Sequence, residues 1–145
     1  MKTPDANLLI YAYDENAEHH ERAKTWLEER LSSPELFGLS WQVITAFLRI
    51  STNARVFNVP FTLAEASEIV SQWLAQPQVK ILLPTERHWQ IFSDLILEGQ
   101  TSGAMMMDAH LAALAIEHGA TLATNDRDFV RFSKLKSINP LKESL

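Results

Sequence analysis

Short β-prone runs alternate with long helical segments along the chain, and this alternation restricts the fold more than any other feature. The β-prone runs lie at residues 37–40, 79–83 and 121–124, and segments with helical spacing of apolar side chains separate them. Parallel strands need long crossover connections, which helices usually provide. We therefore predict an α/β domain of three layers, with a short, mostly parallel central sheet flanked by helices.

The predicted helices follow from apolar side chains that recur on one face. They cover residues 16–31 and 41–51, a segment that begins after a Thr62–Glu65 capping box, a segment that ends at Gly99, and residues 108–118. All four tryptophans fall on these helices: Trp26, Trp41, Trp73 and Trp89. Apolar surface beyond the needs of one core predicts a homodimer.

The beginning of the chain is less regular. Residues 1–4 are the predicted first strand, although Pro4 has no N–H to donate to a sheet. Residues 8–13 are apolar, and their periodicity fits a strand and a helix equally well.

Composition narrows the class of protein. The chain has 145 residues, of which 46% are hydrophobic, so we expect a single domain over residues 1–145. It has no cysteine, which excludes disulfides, thiolate metal sites and a cysteine nucleophile. We see neither a signal peptide nor a transmembrane segment, and expect a cytoplasmic protein without a membrane partner. A net charge of -5 argues against binding nucleic acid by bulk charge alone.

Aspartates occur where predicted strands end or helices begin. Asp5 follows the first strand, Asp126 and Asp128 follow the strand at residues 121–124, and Asp108 opens a helix. Ligand sites in open α/β sheets form at the carboxyl ends of strands, so these side chains can converge. Converging carboxylates repel one another unless a cation is bound, and all-oxygen ligation suits Mg²⁺ or Mn²⁺. This pattern favours metal-assisted hydrolysis of phosphodiesters.

Each acid also has a purely structural interpretation. Asp108 can be a first-turn acid that interacts favourably with helix N–H groups. Asp126 and Asp128 can be turn and N-cap residues, and Asp5 can be a turn acid. Four basic residues follow the last acids, and they are either a phosphate-binding patch for RNA or a solvated face: Arg127, Arg131, Lys134 and Lys136.

Several segments resemble motifs of PIN-domain ribonucleases. Residues 5–12 (DANLLIYA) resemble the opening motif, and residues 107–115 (MDAHLAALA) and 124–129 (TNDRDF) resemble the closing motifs. Residues 47–53 (FLRISTN), followed by residues 55–57, are similar to the central segment of VapC-type toxins. Together these segments cover nearly the whole chain.

The resemblance implies a PIN-like α/β fold and endoribonuclease activity that depends on Mg²⁺ or Mn²⁺. It further implies the toxin of a type II toxin–antitoxin system, a homodimer whose active site is blocked by a VapB-type antitoxin. By motif position, Asp5 and Asp108 would be the main metal-binding acids, and Asp126 would complete the pocket with Asp128 nearby. Two polar residues would orient the acids or a water molecule: Asn7 and Thr124.

One position departs from the family pattern. Many PIN domains have a glutamate three residues before the arginine of the central helix, but the residue three before Arg49 is Ala46. This difference argues against a second tightly held metal and leaves open a catalytically weak or inactive PIN-fold binding module. Another alternative is a haloacid-dehalogenase-like phosphatase. That enzyme needs a second aspartate where this chain has Asn7, and a catalytic lysine where only Lys80, in a predicted strand, is available.

Overall fold

Five parallel strands form the central sheet of the computed structural model, which describes residues 1–142. The strands are β1 (Lys2–Pro4), β2 (Phe37–Leu39), β3 (Val79–Ile81), β4 (Thr121–Ala123) and β5 (Ser137–Ile138). Their spatial order is β3-β2-β1-β4-β5, and every neighbouring pair is parallel. The predicted α/β class with a parallel sheet is therefore confirmed. Strand β5, which has only two residues, is not predicted by the sequence patterns.

Six α-helices occur within residues 1–142. They are α1 (Ala6–Tyr13), α2 (His20–Ser32), α3 (Trp41–Ser51), α4 (Leu63–Leu74), α5 (His88–Gly99) and α6 (Met105–Glu117). Helix α1 packs against α2 and α3, α3 packs against α4, and α5 packs against α6. The chain moves outward from β1 to β3 and then crosses back to β4. Right-handed crossovers consequently put α5 and α6 on the opposite face of the sheet from the helices before β3.

Strand β1 occupies the centre of the sheet although it contains a proline. Lys2 N donates to Leu36 O on the β2 side, and Asp5 N donates to Ala123 O at 2.8 Å on the β4 side. Backbone nitrogens alternate between the two sides of a strand, so the Pro4 nitrogen faces β2. Pairing with β2 is registered at Lys2, two residues earlier, so Pro4 interrupts little of this ladder.

The apolar residues 8–13 lie in α1. Asp5 is the N-cap of this helix, and its carboxylate accepts a hydrogen bond from Ala6 N at 2.8 Å. Leu8, Leu9 and Ile10 are all buried, which explains why the run shows no polar face. A helix that is apolar on every side is typical of a buried position.

Two predicted helix starts are wrong. The helix predicted over residues 16–31 begins at His20. The helix predicted to open at Asp108 begins at Met105, because the three methionines form its first turn. Asp108 therefore lies inside the first turn, and Ala104 is the N-cap, without a capping side chain.

The four tryptophans lie on helices, as predicted, but in two environments. Trp26 and Trp73 belong to the core, and the Trp73 indole donates to the Tyr13 hydroxyl at 3.0 Å. Trp41 and Trp89 are 52% and 70% exposed. None of the helices within the described part of the chain is long and apolar enough to span a membrane.

Candidate metal and active site

Four aspartates gather at the carboxyl edge of the sheet, and we refer to Asp5, Asp108, Asp126 and Asp128 as the acidic cluster. Asp5 directly follows β1, and Asp126 follows β4, which is the neighbour of β1. Asp128 lies in a 3₁₀-helix at Arg127–Arg131, and Asp108 lies in the first turn of α6. Residues that are distant in sequence are thus brought to one edge of the sheet, as the sequence analysis predicted for such a fold.

The Asp5 carboxylate is held by hydrogen bonds on both oxygens. Oδ1 accepts from Ala6 N at 2.8 Å, and Oδ2 accepts from the Thr124 hydroxyl at 2.9 Å. Burial raises the pKa of Asp5, these two hydrogen bonds act to lower it, and the negative charge of Asp126 raises it further. The net effect is a pKa above the ordinary value, so ionised Asp5 is destabilised in its surroundings.

Thr124 connects two members of the acidic cluster. Its buried hydroxyl donates to Asp5 and accepts a hydrogen bond from Asp126 N at 3.0 Å. The hydroxyl therefore fixes the end of β4 relative to the end of β1. Asn7 is exposed in the first turn of α1, and its orienting role stays a prediction.

Oxygens of three carboxylates in the cluster lie near enough to one another to hold a single metal ion. Asp108, Asp126 and Asp128 each offer an oxygen, and these oxygens lie within 4.8 Å of one another. Mg²⁺ binds carboxylate oxygens, so these three side chains could hold one such ion. The predicted ligand set combined Asp5 with Asp108 and Asp126, whereas the observed trio contains Asp128. Asp126 also accepts from Asp128 N at 2.9 Å, which makes it the N-cap of the 3₁₀-helix.

Asp108 shows the strongest electrostatic effect in the cluster. Burial and the charges of Asp5, Asp126 and Asp128 raise its pKa to about 6, while Arg131 acts in the opposite direction. A helix-start acid without other carboxylates near it has its charged form stabilised by the helix dipole. The purely structural interpretation of Asp108 therefore does not account for its surroundings. A divalent cation would relieve the repulsion among these carboxylates.

Helix α3 borders the cluster through a residue that the sequence analysis missed. Gln42 Nε2 donates to Met107 O at 3.1 Å, directly before Asp108. Gln42 is the second residue of α3, which starts immediately beyond the carboxyl end of β2. This position beyond the end of a strand is the feature of the sequence that could have identified Gln42 as a residue near the site. Ala46, where the family resemblance leads to the expectation of a glutamate, is half-buried one turn later on α3 and carries only a methyl group.

The four predicted RNA-binding residues differ in their surroundings. Arg127, Lys134 and Lys136 are exposed. Arg131 is half-buried, with Nη1 donating to Gly99 O at 3.0 Å and Nε donating to Asp128 O at 3.1 Å. Its guanidinium is thus held beside the acidic cluster, whereas the other three remain candidates for contacts with RNA.

Comparisons with known proteins match nearly the whole chain. The family model described as "PIN domain" matches residues 2–135. Ribonuclease VapC37 of Mycobacterium tuberculosis is 37% identical over 140 residues, which cover 97% of each chain. Ribonuclease VapC33 of the same species is 38% identical over 143 residues, which cover 99% of this chain and all of the relative.

Solved structures show the same fold. VapBC2 from Rickettsia felis, bound to a promoter DNA fragment, contains a chain that superposes with a TM-score of 0.68 at 17% identity, covering 95% of this chain and 97% of that one. Mycobacterium tuberculosis VapC20, described as a toxin that cleaves the sarcin-ricin loop, superposes with a TM-score of 0.65 at 17% identity, covering 94% and 99%.

Proposed function

This chain belongs to the PIN-domain family as a VapC-type ribonuclease, and we propose that it is a toxin endoribonuclease that depends on Mg²⁺ or Mn²⁺. The observation that carries the metal dependence is the trio of Asp108, Asp126 and Asp128, whose oxygens lie within 4.8 Å of one another. The raised pKa of Asp108 supports the same conclusion, because it indicates negative charge that the protein alone does not neutralise.

The donor set fits a hard divalent cation. The residues of the acidic cluster offer only carboxylate oxygens, which are the ligands that Mg²⁺ and Mn²⁺ prefer. By spacing, Asp108, Asp126 and Asp128 would hold the ion, with Asp5 beside them. When bound, such an ion activates water and neutralises charge on phosphoryl oxygens.

The other residues of the site keep the carboxylates in position. The Thr124 hydroxyl donates a hydrogen bond to Asp5 and accepts one from Asp126 N. It therefore sets the distance between β1 and the loop after β4. Arg131 is anchored on Gly99 O and offsets part of the negative charge around Asp108. The positive charge of the anchored guanidinium stabilises the charged form of Asp108.

The proposed partners follow from the relatives. RNA is the substrate, and a VapB-type antitoxin is the protein partner, since VapBC2 of Rickettsia felis is a complex of this kind. A homodimer is consistent with the exposed Trp41 and Trp89. We place the activity in the cytoplasm, where RNA is available.

The two alternative functions fare differently. Membership in the PIN-domain family leaves the haloacid-dehalogenase-like phosphatase without support. The inactive binding module remains an alternative because Ala46 leaves α3 without a carboxylate at the site. Metal-dependent cleavage distinguishes this module from the enzyme.

The test is a metal titration of RNA cleavage by the purified protein freed of antitoxin. We expect cleavage of a structured RNA only when Mg²⁺ or Mn²⁺ is added, and complete inhibition by EDTA. Cleavage that persists in EDTA would refute the metal dependence. RNA binding without cleavage at any concentration of either metal would favour the inactive module.

A further inference from the structure

A cavity of about 580 Å³ adjoins the acidic cluster on the side of β5. Thr124 and Asp126 form part of its wall, so the cavity opens directly beside the proposed metal ligands. It lies where β4 and β5 end, and Thr124 N donates to Ile138 O at 3.0 Å to join these two ends. Cavities of about 300–1,000 Å³ accommodate ligands of the size of a nucleotide.

We propose that this cavity binds the nucleotide of the RNA substrate that adjoins the scissile phosphate. The proposal rests on the ribonuclease function proposed above and adds where the RNA strand leaves the acidic cluster. Its basis is the combination of charge, unused amide groups and apolar surface around one cavity.

The charge of the cavity differs from that of the whole chain. The chain carries a net charge of -5, but the cavity is lined by Arg127 and Lys142, both exposed, and by a single acid, Asp126. Two cations at the rim complement the phosphates on either side of a bound nucleotide. The cavity therefore supplies local positive charge next to a cluster that would otherwise repel RNA.

Two amide side chains in the wall are available to read a base. Asn139 Oδ1 accepts from Leu141 N at 3.0 Å, and no hydrogen bond within residues 1–142 uses its Nδ2 group. In the same described range, the Asn125 side chain makes no hydrogen bond either. Both residues are half-buried. Asparagine amides can donate to and accept from the edge of an unpaired base, which gives sequence preference.

Apolar and aromatic groups complete the wall. Phe129 and Leu141 are buried residues of the lining, Ile138 is 38% exposed, and half-buried His19 also lines the cavity. Such surfaces stabilise an unstacked base without selecting its identity. Different residues would thus serve the three kinds of contact: to phosphates at the rim, to the face of a base along the wall, and to the edge of the base. They can be changed separately.

The first test compares two charge reversals, Lys142→Glu in the cavity and Lys80→Glu on β3 at the opposite end of the sheet. Both lysines are exposed, so neither change is expected to disturb folding. With an RNA that the wild type cleaves, we expect Lys142→Glu to raise KM about fivefold or more and to change kcat much less. Lys80→Glu should stay within about twofold of wild type. Equal effects of the two variants would overturn the proposal.

The second test replaces the amide that would read the base, as Asn125→Ala. We expect the relative cleavage rates at sites that differ in one nucleotide beside the scissile phosphate to change at least about fivefold, since one base contact contributes about 1–3 kcal/mol. A uniform loss at all sites would mean that Asn125 supports the fold and reads no base.

A binding measurement separates this proposal from the proposed function. A fluorescent single-stranded RNA tetranucleotide is titrated against wild type and against the Lys142→Glu and Lys80→Glu variants with Mg²⁺ present. Weaker binding by Lys142→Glu alone supports the cavity even if no RNA is cleaved, in which case only the proposed function fails. Unchanged RNA binding together with lost antitoxin binding would show that the cavity receives a protein segment, and would refute the proposal.

Discussion

Helix α6 carries an acid at each end, and the two acids lie in opposite environments. Asp108, in the first turn, faces the other carboxylates of the acidic cluster, and its pKa is raised to about 6 by burial and by their charges. Glu117, the last residue of α6, has a fully buried side chain, yet its pKa is lowered. Burial acts to raise the pKa of Glu117, but hydrogen bonds from Thr85 and His88 outweigh that effect.

The partners of Glu117 show how a buried carboxylate is stabilised. The backbone N–H and the hydroxyl of Thr85 both donate to Glu117 Oε1 at 2.7 Å, and His88 Nδ1 is hydrogen-bonded to Oε2. His88 Nε2 in turn lies 3.0 Å from His110 Nδ1. This network joins α5 to α6, and the loop before α5 to the end of α6. Sequence patterns do not predict this network, because its members are up to 32 residues apart.

The acids at the two ends of α6 therefore differ in their effect on the stability of the fold. A buried acid whose oxygens are saturated with donors contributes to stability. An acid among like charges costs stability and is typical of a site that binds a ligand or performs chemistry. Changes at Asp108 should therefore affect activity most, and a change at Glu117 should affect stability.

The largest effect is expected on activity, from Asp108→Asn. This change should lower the rate of RNA cleavage at least about a hundredfold. Loss of a residue that only hydrogen-bonds to a metal ligand already lowers activity by about ten- to a hundredfold. Initial rates at saturating Mg²⁺ measure it. Asp94→Asn, at an exposed aspartate on α5, is the matched control and should retain full activity. A rate for Asp108→Asn within tenfold of wild type would contradict a catalytic role.

Glu117→Gln should have the opposite profile. We expect it to lower the free energy of unfolding by about 2 kcal/mol, because it weakens charged hydrogen bonds to Thr85 and His88. The folded pKa of Glu117 lies below its ordinary value of 4.5, so this stabilisation is present above that pH and is lost as the pH falls through the folded pKa.

Urea unfolding at pH 7 and at pH 4 measures this loss, and the difference between wild type and Glu117→Gln should be smaller at pH 4. The cleavage rate per folded molecule should stay near that of wild type. A variant that is as stable as wild type but inactive would place Glu117 in the catalytic machinery.

In the absence of metal, Asp108→Asn should stabilise the fold. The raised pKa corresponds to about 1 kcal/mol after allowance for solvent screening, or a Tm increase of about 2–4 °C. Native Asp108 binds its proton more tightly than unfolded Asp108, so its contribution to stability falls as the pH rises from 3.8 towards 6.

Melting curves in EDTA at pH 4 and pH 7 test this, and the advantage of Asp108→Asn should be present mainly at pH 7. Added Mg²⁺ should stabilise the wild type more than the variant. An Asp108→Asn variant that melts below wild type in EDTA and responds equally to Mg²⁺ would mean that the acids do not form one site.

The smallest effect is expected from the exposed lysines beyond the cluster. Simultaneous charge reversal at Lys134 and Lys136 should weaken RNA binding a few-fold and lower the salt dependence of log K by about one unit for each lost phosphate contact. Binding titrations at several salt concentrations measure this. An unchanged salt dependence would show that these two lysines belong to a solvated face. Arg127 and Lys142 of the cavity would then be the remaining candidates for RNA contacts.

Most of the secondary structure of this protein could be predicted from its sequence, because the relevant patterns are local. Apolar spacing predicted α2 to α6 and three of the strands, but it left α1 open between strand and helix. The capping box at Thr62 predicted the start of α4. The positions of Asp5 and Asp126 after strands predicted that they would meet, because parallel strands end at the same edge of a sheet.

The tertiary structure decided what local patterns leave open. Residues 8–13 became a helix because Asp5 caps it and the core buries Leu8, Leu9, Ile10 and Ala12. The two-residue strand β5 has no periodicity of its own, and it forms by hydrogen bonding to β4. Distances among carboxylates depend on side-chain hydrogen bonds between distant segments. The Thr124 hydroxyl holds Asp5 at the end of β1, and oxygens of Asp108, Asp126 and Asp128 lie within 4.8 Å of one another.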